Sequence, residues 1–103
     1  MNNKEFLDCV TRSYIRSVDI LTEKEEEYSQ DNNRLIQFYE SSTITNTNPC
    51  EALVGMATKH FTSIAYMAKN PSNFSLDRWN EKITDLRNYT FLLDALLRDM
   101  GIE

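Results

Sequence analysis

From Ser75 to Gly101 apolar residues return at steps of three and four: Leu76, Trp79, Ile83, Leu86, Leu93, Leu97 and Met100, with Thr90 in the one polar slot. That spacing commits the last quarter of the chain to one long helix with a heptad-like stripe. Both ends are marked. The Ser75 hydroxyl can accept a bond from a first-turn amide. Gly101 tolerates the left-handed conformation that ends helices. A second apolar line, Tyr89, Leu92 and Leu96, runs beside the first. Two stripes call for two packing partners, one expected from the same chain and one from a second copy. Tyr89, Leu92 and Leu96 are therefore the expected interface of a two-fold homo-oligomer.

A chain of 103 residues holds one domain with one modest core, here residues 1–103. Its 41% of apolar residues argues against global disorder. Two Gly and two Pro leave little turn material for an all-β protein. A formal charge of −5 disfavours direct binding to a phosphate backbone. Such a surface can instead occupy basic sites on other proteins. Cys9 and Cys50 have no metal-type spacing and make no disulfide scaffold. No signal peptide and no membrane-length apolar run is present, so the expected setting is the cytoplasm.

In chain order, a first amphipathic helix from Asn3 carries Phe6, Leu7, Val10, Tyr14, Val18 and Leu21 on its apolar face. It enters an acidic patch at Glu23–Glu27, where like charges one turn apart favour fraying. Asp31 or Asn32 can cap a short accessory helix over Leu35–Tyr39. The run Ser41–Asn48 reads as a polar loop. Asn48-Pro49 is a cap followed by a first-turn proline, which starts a helix running to Lys69. The expected fold is all-α: a small bundle built on an antiparallel pair of long helices, 49–69 and 76–100, with the N-terminal helix packed across them.

The single histidine, His60, falls on the apolar face of the 49–69 helix. A core imidazole with one hydrogen bond and a ligand-contacting imidazole both fit that position. Lys59 lies a quarter-turn away and is either a solvated lysine or an anion contact. Asp85 aligns with Tyr89, Leu92 and Leu96, so it rims an interface or sits in a pocket. Glu23–Glu27 reads as a solvated face or as half of a cation site, with Glu27 and Asp31 meeting Glu81 and Asp85.

Three pieces together carry a resemblance. They are Glu27-Tyr28 with Asn33-Arg34-Leu35; then Pro49-Cys50-Glu51-Ala52-Leu53 with Gly55-Met56 and Lys59-His60; then Asp77-Arg78-Trp79-Asn80-Glu81-Lys82-Ile83 with Asp85, Asn88 and Tyr89. Over residues 23–98 this resembles small helical proteins of bacteriophages and prophages, themselves similar to MazG-like all-α nucleoside triphosphate pyrophosphohydrolases. The MazG-like resemblance implies Mg²⁺ held by acids on two facing helices. Here the 76–100 helix offers Glu81 and Asp85, one residue further apart than that motif has them. The 49–69 helix has no acid after Glu51 and places Met56, Lys59 and His60 where carboxylates would stand. An ammonium in that position repels a divalent ion.

The expectation that follows is a non-enzymatic phage-type accessory protein in the host cytoplasm. It binds a host protein or a small nucleotide and blocks a host process such as antiviral defence. Its ligand-binding residues are Arg34, Lys59, His60, Asp85 and Tyr89, without catalytic residues, metal or cofactor. One alternative is an acidic, anti-CRISPR-like inhibitor in a nucleic-acid channel. The other is a MazG-like hydrolase using Mg²⁺ on Glu27, Asp31, Glu81 and Asp85.

Overall fold

The computed structural model describes residues 1–24 and 33–103. Over these residues the protein has four α-helices and no strand, as the low Gly and Pro content predicts. Helix α1 spans Asn3–Glu23, α2 Ile36–Thr45, α3 Pro49–Met67 and α4 Leu76–Asp99, with a 3₁₀ turn at Pro71–Asn73 before α4. The helix starts follow local chemistry. The side chains of Asn2, Asn48 and Ser75 accept bonds from the amides of Glu5, Glu51 and Arg78. The Glu5 and Glu51 carboxylates in turn accept from the side-chain Nδ2 groups of Asn2 and Asn48, so each cap is tied twice. Gly101 follows α4 at φ +78°, where a side chain is strained.

Helices α3 and α4 form the frame. Cys50 at the start of α3 meets Met100 just past the end of α4, with the sulfurs 3.6 Å apart. His60, midway along α3, meets Asp85 and Tyr89, midway along α4. Near the connection, Tyr66 packs on Phe74 and Phe74 on Trp79, ring edge to ring face. Contacts thus pair early α3 with late α4. Helix α1 lies along α4, held by Arg87, whose guanidinium donates to the Ser13 carbonyl at 2.9 Å and the Ser17 hydroxyl at 2.7 Å.

The core forms where α2, α3 and α4 converge. Phe38, Leu53 and Leu96 are fully buried there with Leu35, and Tyr39, Met56, Tyr89, Leu92, Leu93 and Met100 pack around them. Helix α2 is therefore a core element, because it supplies Phe38, the largest fully buried side chain. It also runs on through Thr45, into the stretch expected to be loop. Ser42, Thr43 and Thr45 fold their hydroxyls back onto carbonyls of the preceding turn, and Ser42 is buried. Those back-bonds absorb the hydroxyls that would otherwise favour a turn. Asn46 then ends the helix in the left-handed region at φ 55°.

Helix α4 is rotated from expectation by about one residue. Leu76 and Ile83 of the predicted stripe are 74% and 40% exposed. The buried positions are Thr84, Asn88 and Leu96, four or eight apart. The line read as a dimer surface accordingly faces inward. Leu96 is fully buried in the chain's own core, and Tyr89 and Leu92 pack against the same cluster. The core selects this line because Phe38 and Leu53 occupy the opposing positions. Trp79, expected to face α3 from the core, is only partly buried, and its Nε1–H donates to the Pro71 carbonyl at 3.0 Å. Helix α1 departs further, since of its residues only Ser17 is buried.

Candidate functional site

A cavity of about 210 Å³ opens where four elements meet, walled by Ile20, Leu21 and Lys24 at the end of α1, Arg34 and Gln37, His60 of α3, and Asp85, Asn88, Tyr89 and Leu92 of α4. The α4 residues share one face because they recur at steps of three and four. His60 reaches them from the centre of α3. Its Nδ1 lies 3.7 Å from Asp85 Oδ2, with each side chain about a quarter exposed. Its ring centroid is 5.0 Å from that of Tyr89, tilted by 37°. At 3.7 Å the His60–Asp85 contact is longer than a hydrogen bond.

Arg34 is fixed by α1. One terminal nitrogen donates to the Leu21 carbonyl at 2.8 Å, near the end of α1. That bond uses one of the five N–H donors on the guanidinium. Among the described residues, Arg34 and Lys24 bring two basic side chains to the lining, alongside the carboxylate of Asp85.

Asn88 is the exception to ordinary packing. It is 6% exposed, and its Oδ1 is buried without a hydrogen-bond partner. An unmet buried acceptor costs about 1–3 kcal/mol. One turn earlier, the Thr84 hydroxyl is likewise buried and unpartnered. Thr11, Thr22, Thr58 and Thr62 all bond the carbonyl four residues back, so Thr84 departs from the chain's own habit. Thr84 lines an adjoining cavity of about 310 Å³ with Arg16, Asp77, Asn80 and Glu81, and Ile20 and Asp85 wall both spaces.

Of the residues expected to bind a ligand, Arg34, His60, Asp85 and Tyr89 meet in one cavity. Lys59 does not; it is exposed and a quarter-turn from His60. Asn88, Lys24 and Gln37 line the cavity without having been singled out for binding. For Asn88 the signal was a polar residue four from Thr84 and from Leu92, on what proves to be the inward line. Of the alternative metal residues, Glu27 and Asp31 lie outside the described residues. Glu81 is exposed and paired with Arg78 at 3.2 Å, and Asp85 faces His60. Among the described residues, no three His, Cys, Asp or Glu side chains converge as metal ligands. Among the described residues, Glu81 and Asp85 alone do not make the Mg²⁺ cluster that the MazG-like resemblance implies. Among the same residues, no helix is long and apolar enough to cross a membrane. Comparison with protein-family models, with curated proteins and with solved structures finds no match to this chain.

Proposed function

We propose that this chain is a non-enzymatic, phage-type accessory protein that acts by binding a small nucleotide in the cavity between α1, α3 and α4. The observation that carries the reading is the unpartnered Asn88 acceptor inside a cavity that Arg34 and Lys24 line. Native interiors leave few buried polar atoms unmet, and a ligand that donates to Oδ1 accounts for this one. A nucleobase amino group is such a donor. The tilted His60–Tyr89 pair offers an aromatic surface for a planar base. Asp85 can accept from a sugar hydroxyl. Arg34 and Lys24 suit a phosphate group, the guanidinium through paired N–H donors. The phage-type setting rests on the resemblance at Asn33-Arg34-Leu35, Lys59-His60 and Asp77–Ile83. Sequestering a nucleotide signal in the host cytoplasm is a way such a protein would block a defence response.

Binding without turnover is the form this reading takes, because α3 carries Met56, Lys59 and His60 where the resemblance would place carboxylates. Native mass spectrometry of freshly purified protein tests it. The expected spectrum shows the chain with a co-purifying nucleotide mass, or a bare chain that takes up added nucleoside monophosphate saturably. Release of pyrophosphate from added triphosphates with Mg²⁺ contradicts the non-enzymatic reading.

A further inference from the structure

We propose that the exposed apolar face of α1 packs against the same face of a second copy of this chain. Phe6, Leu7, Val10, Tyr14 and Val18 are 54%, 52%, 47%, 55% and 40% exposed. At 3.6 residues per turn they fall within an arc of roughly 120° that also holds Ser17, buried against α4, so the face is open along the first half of α1 and at its Tyr14–Val18 edge. Tyr14 stands edge-on to Phe91 of α4, 38% exposed, which carries the patch onto the neighbouring helix. The hydrogen bonds and ring contact that tie α1 down fall at Ser13, Tyr14, Ser17 and Leu21, all in its second half. Phe6, Leu7 and Val10 lie ahead of them. A radius of gyration of 15.7 Å, against about 13 Å for a compact domain of this length, fits a molecule that leaves helix faces uncovered.

Area and charge select the occupant. Aromatic side chains present roughly 150–250 Å² each, so these six residues expose on the order of 500 Å² per copy. A two-fold pairing removes about 1,000 Å² from water, which reaches the threshold for a specific interface. Residues 3–24 carry four basic and four acidic side chains, so the net charge of −5 lies outside them. A second copy meets α1 without the repulsion that the rest of the surface imposes. A basic partner, which the acidic surface attracts, gains nothing from a neutral helix. In an antiparallel α1 pair the two helix dipoles also oppose favourably.

Cys9 lies exposed on α1 and reports on the arrangement directly. Cys9 falls about 60° outside that arc, so on helices packed roughly 8–10 Å apart the two thiols sit on the outer flanks, and a bismaleimide with a long, flexible spacer should join them in a Cys50→Ser background. Sedimentation equilibrium at tens of micromolar should give twice the 12.1 kDa chain mass. Val10→Glu should return the mass to one chain and abolish the cross-link, with helical circular dichroism unchanged. Leu7→Lys serves the same purpose if Val10→Glu loses helicity. A single-chain mass for the wild type overturns the proposal and leaves the face to a different protein. A dimer that survives a folded α1 variant overturns it by placing the interface elsewhere.

Discussion

His60 and Asp85 face each other across the seam of α3 and α4, imidazole Nδ1 to carboxylate Oδ2, at 3.7 Å. The same imidazole stacks obliquely on Tyr89, one turn beyond Asp85. One side chain of α3 therefore touches both Asp85 and Tyr89 of α4 where the cavity opens. The distance is too long for a hydrogen bond, and the pair is partly solvated, so its contribution to stability is small, about 0–1 kcal/mol. His60→Phe keeps the ring contact and should leave the urea midpoint nearly unchanged. It also keeps the stacking surface, so nucleotide affinity should stay within about threefold, whereas His60→Ala should lower it about tenfold, equivalent to ~1.4 kcal/mol. Calorimetric titration and urea denaturation of the same preparation check both halves.

The core and the aromatic cluster at the connection should respond differently to truncation. Phe38 is fully buried among Leu35, Leu53 and Leu96, and Phe38→Ala should cost about 3–5 kcal/mol. Trp79 is only partly buried, against Phe74, so Trp79→Ala should cost about half of that. Chemical denaturation of the two variants compares them. Equal losses would mean that the aromatic cluster, not the α2–α3–α4 convergence, anchors the bundle.

Alkaline pH should weaken the link between α2 and the end of α4. The Tyr39 hydroxyl donates to Asp99 Oδ2 at 2.8 Å. That bond, then desolvation and the Asp99 and Cys50 charges, raise the phenol above its ordinary value of 10.0. The neutral phenol is thus favoured in the folded chain. Its stabilisation is complete below pH about 10, where the unfolded phenol titrates, and is lost as pH rises through the folded value. Tyr39→Phe should cost about 0.5–1.5 kcal/mol at pH 7 and flatten the decline in stability above pH 10. Thermal melts from pH 7 to 11 on both proteins give the comparison.

Much of the fold is written locally. Asn48-Pro49, Ser75 and Gly101 set helix ends through caps and backbone freedom, and the helices begin or stop beside them. The inward face of α4 is not local. Thr84 and Asn88 are polar, so periodicity counts them outward and elevates Ile83 instead. Only the positions of Phe38 and Leu53 on other helices decide the rotation. The extent of α2 was hidden for a related reason. Its hydroxyls satisfy themselves inside the helix, while Phe38 and Ser42 gain burial that no propensity reports. At the cavity, the types of Arg34, His60, Asp85 and Tyr89 pointed to recognition. Lys59 seemed equivalent by adjacency, yet a 100° step along α3 takes it out of reach. Asn88 belongs to the stretch that carries the resemblance, but its unmet acceptor is visible only once the neighbours are in place.

Calorimetric titration of nucleoside 5′-monophosphates into the wild type, Arg34→Ala and Asn88→Leu tests the ligand-binding account most directly. Leucine keeps the branching of asparagine and removes the unmet acceptor, its larger methyls entering the adjoining cavity, so Asn88→Leu should raise ligand-free stability by about 1 kcal/mol. It should also abolish binding. Arg34→Ala should weaken binding about tenfold or more while inorganic phosphate competes with nucleotide in the wild type only. A protein stabilised by Asn88→Leu and blind to nucleotide is the predicted result, a site that gives up stability to keep an acceptor for its ligand. No saturable binding by the wild type, or binding that survives both substitutions, would contradict it.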